Sequence, residues 1–229
     1  MTEAEWLACD KPGPMLDFLK GKASDRKLRL FACACVRRAW HLLADSGRQA
    51  VEAAEAYADG MIDTETLKAA SCAAHKPVDE EIEAANISWH GFSLSPPLSA
   101  ADAAFEASNS MDSDITRHLV PLHAARAAQD ALGSAGGECA AQAVLLRDIL
   151  GNPFHPPLPP PAAILAWNDR TVHRITLAIY DERAFDRMTI LADALQDAAC
   201  TDADILSHLR GPGPHVRGCW VVDLLLGKE

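Results

Sequence analysis

The stretch SDRKLRLFACACVRRAWHLLAD, residues 24–45, constrains this chain more than any other. Ser24 can cap a helix by accepting a hydrogen bond from a free N–H of the first turn. The middle of the stretch, Leu30 to Val36, is apolar at every position. A helix that is hydrophobic all round must be buried on most sides. The remaining elements therefore have to surround it. Arg37, Arg38 and His41 return it to solvent or to polar partners. The expected fold is all-α, an irregular multi-helix bundle of about 8–11 helices around a buried central helix at 24–45.

The rest of the 229 residues supplies helices for that purpose. Thr2 to Glu5 is a T-x-x-E capping box ahead of Trp6. Pro14 suits the first position of a short helix that ends at Gly21. RQAVEAAEAYADG is an amphipathic helix stopped by Gly60. Asp63 or Thr64 caps the next, which Pro77 should kink or end. A loop is expected at 90–99 and a Gly136-Gly137 break further on. Pro121 should likewise kink the helix that contains it, or mark its start. Residues 152–161, NPFHPPLPPP, are stiff and extended by composition. They divide the chain into an N-terminal helical region 1–152, a Pro-rich linker 153–161 and a C-terminal helical region 162–229. The last region is expected either to pack on the first or to form one domain with it.

Hydrophobic residues make up 49 % of the chain, enough for a sizeable core, and aromatics only 6 %. The net charge of −11 argues against general nucleic-acid binding, whose affinity comes from phosphate neutralisation, and against anionic membrane surfaces. Seven bases against two acids between Asp17 and Arg38 form a local basic patch, most simply paired with the protein's own acids. Seven cysteines, an odd number in Ala-rich helical contexts, read as reduced thiols in a cytoplasmic protein. No apolar run is long enough to span a bilayer.

The densest polar chemistry lies at the end: CTDADILSHLRGPGPHVRGCWVVDLLLGKE, residues 200–229. Thr201 or Asp202 can cap ADILSHLR, and Gly211-Pro212 should end it. The loop GPGPHVRG is built from residues that fix φ or permit positive φ. CWVVDLLLG reads as a buried helix rather than a strand. Two guanidiniums and an imidazole here, with Arg187 upstream, suggest an anion site at Arg187, Arg210, His215 and Arg217. Beside Asp186, that set would suit an enzyme or binder acting on a phosphate- or carboxylate-bearing small molecule. The bland alternative is that Arg210 caps carbonyls, Arg217 pairs with a carboxylate such as Asp223, and His215 fills a crevice. A further alternative is a metal site, with Cys200, His208, His215 and Cys219 converging on zinc, although their spacing fits no common finger. No H-E-x-x-H, C-x-x-C, P-loop, dinucleotide or nucleophile-elbow motif occurs.

Two segments carry a resemblance. WLACDKPGPMLDFLKGKASDRKLRLFACACVRRAWHLLAD and YDERAFDRMTILADALQDAACTDADILSHLRGPGPHVRGCWVVDLLLGKE resemble a large family of uncharacterised helical proteins from planctomycete bacteria. The resemblance covers roughly the first sixty and last seventy residues. It implies a bacterial cytoplasmic protein and brings no activity, cofactor or catalytic residue. The leading functional expectation is a non-enzymatic protein-interaction or regulatory module, with a protein partner or a second copy of itself, and with no cofactor, catalytic residue or metal assigned.

Overall fold

The computed structural model describes residues 1–85, 95–109, 114–133 and 137–229. Twelve α-helices and two short 3-10 turns account for the regular structure there, and no strand occurs among the described residues. The expected all-α class is therefore correct, with one helix beyond the expected range. The first part of the loop at 90–99 and most of the Gly136 break lie outside the described residues. The end of that loop is helical from Pro96 onward.

The chain divides into two compact units, Met1–Leu146 and Arg147–Glu229. The division falls ahead of the expected linker at 153–161, which lies wholly inside the second unit. Its physical reason is that Asp148 hydrogen-bonds to residues of the C-terminal loop.

The first unit begins with α1 (Glu3–Ala8), closed by the reciprocal Thr2–Glu5 capping box. α2 (Pro12–Phe18) starts two residues before the expected Pro14, with Pro12 supplying the preset φ of a helix start. α3 (Asp25–Arg38) is the central helix, capped by Ser24, whose side chain accepts from the Lys27 N–H. A 3-10 turn, Trp40–Leu42, extends it. Every residue from Leu28 to Val36 is buried. α3 packs against α4 (Asp45–Ala58), α6 (Pro96–Ser108) and α7 (Asp114–Leu132), and α5 (Thr64–Ala85) packs on α4 and α6. Pro77 and Pro121 each lie inside one continuous helix, α5 and α7, and neither ends it. The helices around α3 are lined by alanine, with Ala100, Ala103, Ala104, Ala107, Ala124 and Ala128 all buried. Small side chains let helix axes approach closely, so the bulk needed at the centre comes from α3 itself. Phe31 is fully buried. Phe31→Ala is expected to destabilise this unit by about 3–5 kcal/mol in chemical denaturation, the usual loss for an aromatic cavity.

The basic patch is spent on internal pairs. Arg37 holds Glu55 through two hydrogen bonds of 2.7 and 2.8 Å. Arg38 holds Glu138 through Nε at 2.8 and 2.9 Å. Arg26 pairs with Asp59 at 3.1 Å. Arg29 is buried and donates to the carbonyls of Ala107 and Asn109. All seven cysteines are free thiols, and burial pushes Cys35 well above the ordinary thiol range, so it is an inert core residue.

The second unit starts in the last turn of α8 (Glu138–Leu150). α9 (Ala162–Glu182) is two helical pieces joined by Asn168, Asp169 and Arg170, all left-handed with φ of 46°, 55° and 59°. After a 3-10 turn at Phe185–Arg187 come α10 (Met188–Asp197), α11 (Ala203–Arg210) and α12 (Trp220–Leu226). Their core joins Ile179, Tyr180, Leu191, Leu195, Leu209, Val221, Val222 and Leu225. The terminal apolar segment is a helix, as expected, and Gly227 ends it at φ +66°. No helix among the described residues is long and apolar enough to cross a membrane.

Candidate metal centre

Four side chains of the second unit bring their donor atoms together: Asp148, His208, His215 and Cys219. One ligand atom from each lies within 4.8 Å of every other. Each arrives on a different local device. Asp148 sits on the last turn of α8, on the same face as the buried Leu145 and Ile149. His208 lies in the last turn of α11, whose start is capped by Asp202 accepting from the Asp204 and Ile205 N–H groups. His215 is held in the loop that follows. There Gly213 and Gly218 have φ of +72° and +94°, while Gly211 is extended at φ −64° rather than left-handed. Cys219 is the N-cap residue of α12, and its own N–H donates to the Val216 carbonyl at 2.9 Å.

The geometry centres on one carboxylate. Asp148 Oδ1 lies 2.8 Å from His215 Nδ1 and 3.1 Å from His208 Nε2. Asp148 Oδ2 accepts from the Val216 N–H at 3.0 Å. His208 Nε2 is also 3.2 Å from Cys219 Sγ. Burial pushes the Asp148 carboxyl up, but the hydrogen bonds and charge of the two histidines outweigh it and hold the group below its ordinary range. Asp148 is 3 % exposed as a side chain and Cys219 is fully buried, while His208 and His215 are partly exposed, so the cluster reaches the surface through its imidazoles. The rings of His208 and His215 meet edge to face at 4.8 Å, and Trp220 lies 5.1 Å from His208.

This arrangement is not a nucleophilic relay. In a Cys–His–Asp triad the imidazole uses one nitrogen for the thiol and the other for the carboxylate. Here the same atom, His208 Nε2, faces both Cys219 Sγ and Asp148 Oδ1. Donors that converge on a point are what a bound cation requires. A tetrahedral zinc ion with bonds of about 2.0–2.3 Å places its donors about 3.3–3.8 Å apart. The closest pairs at 2.8–3.2 Å need to open by a few tenths of an ångström, and the widest, up to 4.8 Å apart, need to close by about 1 Å. His215 Nε2 is buried without a hydrogen-bond partner, so Nδ1 makes this ring's polar contact to the cluster.

Three of the four residues considered for zinc from the sequence, His208, His215 and Cys219, meet here. Cys200 does not belong to the group. It is buried at the end of α10, where its N–H closes the helix on the Leu195 carbonyl at 2.9 Å. Asp148 takes the fourth place. Its signal in the sequence was an acidic residue on an otherwise apolar helix face, Leu145-Leu146-x-Asp148-Ile149, which demands a buried partner.

The anion set is distributed among separate partners. Arg187 pairs with Glu182 at 2.9 Å. Arg210 donates to Asp193 at 3.0 Å and Gln196 at 2.7 Å. The Arg217 guanidinium lies over the Tyr180 ring at 4.5 Å. Only His215 belongs to the cluster. Arg210→Ala is expected to change the stability of the unit by less than about 1 kcal/mol, because its ion pair is exposed.

The loop is anchored at its other side by Gly151, which has φ +66° and would meet Trp220 Cγ at 3.2 Å if it carried a Cβ. Gly151→Ala is expected to lower the denaturation midpoint of the second unit by the equivalent of about 1–2 kcal/mol, through the left-handed backbone and that contact.

Comparison with known family models, with curated proteins and with solved structures finds no match to this chain.

Proposed function

We propose that the segment Arg147–Glu229 is a metal-held helical module in which Asp148, His208, His215 and Cys219 bind one zinc(II) ion. The observation that carries the reading is that four donor atoms of mixed type gather within 4.8 Å of one another, with Asp148 and Cys219 buried and the two histidines partly buried. The donor set is one thiolate, two imidazoles and one carboxylate. That mixture suits zinc, whereas calcium and magnesium take oxygen ligands. Four protein donors complete a tetrahedral shell and leave no position for water or substrate, so the ion is structural rather than catalytic. It would tie the end of α8 to the C-terminal loop and so lock the module's surface for a protein partner. That role agrees with the non-enzymatic interaction module expected from the sequence.

The test is metal analysis of the full chain after exposure to zinc and exhaustive dialysis. The expected result is one zinc per chain, retained by Arg210→Ala and lost by Cys219→Ala and by His208→Ala. Equal zinc in all four proteins, or none in the unsubstituted chain, overturns the reading. Cobalt substitution adds an independent check, since a thiolate–cobalt charge-transfer band should appear in the unsubstituted chain and vanish in Cys219→Ala.

A further inference from the structure

The run His155-Pro156-Pro157-Leu158-Pro159-Pro160-Pro161 joins α8 to α9 and takes no part in the metal cluster. Every residue in it is either a proline or the residue before one. Proline fixes φ near about −65°, and a following proline disfavours the helical region, so residues 155–160 are biased to extended polyproline II backbone. In the structure His155 is a bend that closes the preceding turn, residues 156–161 form neither helix nor strand, and Pro161 has φ −52° and ψ 141°. The only cis peptide bond among the described residues is Gly213-Pro214, so the run is trans throughout.

The run is also presented. Residues 155–159 are exposed, and Leu158, at 81 %, is the most exposed of the large hydrophobic side chains among the described residues. Both ends are fixed. The His155 N–H donates to the Asn152 carbonyl at 3.0 Å, and the Ile164 N–H donates to the Pro161 carbonyl at 2.9 Å as α9 begins.

Polyproline II repeats every three residues. His155-Pro156 and Leu158-Pro159 therefore fall on one edge, as two successive x-Pro pairs. This register is the one that aromatic-lined grooves accept, and a ligand already in the bound conformation loses little entropy on docking. Charge narrows the partner further. Between Asp148 and Asp169 there is no Lys, Arg, Asp or Glu. A groove that adds an acidic pocket for a basic anchor finds nothing to hold here.

We infer that residues 155–161 are a docking ligand for a partner protein whose groove is lined by aromatic side chains and reads uncharged polyproline II. Leu158 and Pro159 fill the central pockets, with Pro156 in the neighbouring one. The inference does not depend on the metal centre.

The test is calorimetric titration of the full chain with isolated proline-reading domains. One probe is a WW domain, whose Tyr–Trp groove binds uncharged proline–leucine ligands; the other is an SH3 domain with an acidic specificity pocket. Saturable one-to-one binding of the WW domain in the micromolar range is expected, with the SH3 domain at least tenfold weaker. The variant Leu158→Ser/Pro159→Ala should weaken WW binding at least tenfold while leaving the far-ultraviolet dichroism and the melting midpoint unchanged. Absence of saturable WW binding, or binding that survives the double substitution, overturns the inference. So does concentration-dependent self-association that the double substitution abolishes in sedimentation, because the occupant would then be a second copy of this chain.

Discussion

Stripping zinc from the full chain is expected to lower the melting midpoint of the second unit by roughly 10–30 °C and to leave the first unit's transition in place. A ligand present at about 100–1,000 times its Kd stabilises the folded state by about 2.7–4.1 kcal/mol. For a unit of this size each kcal/mol moves the midpoint by about 4–8 °C. The loss follows from what the proposed ion would join. Asp148 is about sixty residues from His208 in sequence, and an ion bound there would close that loop beside His215 and Cys219. Asp148→Ala should act more severely than metal removal. It takes away a ligand, the shared acceptor of both imidazoles and the acceptor of the Val216 N–H at once. Scanning calorimetry with and without chelator measures the first effect. Chelator that leaves both transitions unmoved, with the zinc demonstrably gone, shows that the four side chains need no ion.

The matching result in the first unit is Arg37→Ala, expected to cost about 3–5 kcal/mol. Glu55 is 2 % exposed and loses its two-pronged partner, and a carboxylate at that depth cannot recover the lost solvation from water. Arg37 also lies over the Trp40 ring at 4.4 Å, so packing is lost with the charge. The double variant Arg37→Met/Glu55→Leu should recover most of the deficit, since an apolar pair of similar size removes the need to bury charge at all. Urea denaturation of the three variants separates the two contributions. A single substitution as mild as the double one would mean that Glu55 is satisfied without Arg37.

The burial of α3 was legible because seven successive apolar residues cannot face water on any side of a helix, and Leu30 to Val36 are all buried. The caps at Thr2, Ser24 and Asp202 were legible for an equally local reason, since a side-chain oxygen ahead of a helix has only the first-turn donors to serve. Pro77 does not end its helix and Pro121 does not begin one, because the loss of one backbone donor is tolerated where the surrounding helices hold the segment in place.

The proposed metal centre was half legible. His208, His215 and Cys219 lie within twelve residues, close enough in sequence to be read as one donor set. Cys200 was grouped with them on chemistry, but its place at the end of α10 is set by the helix it closes. Asp148 lies far away in sequence, and only the fold of the second unit brings it to the loop. The arginines pointed to an anion because clustering in sequence suggests clustering in space. In the folded unit Arg187, Arg210 and Arg217 each turn to a different neighbour.

The most direct test of the zinc centre is X-ray absorption at the zinc edge on the full chain loaded with one equivalent. The account predicts one sulfur near about 2.3 Å and three nitrogen or oxygen donors near about 2.0–2.1 Å, with the sulfur replaced by a lighter donor in Cys219→Ser. A shell of light donors alone, unchanged by that substitution, would place the ion elsewhere and contradict it.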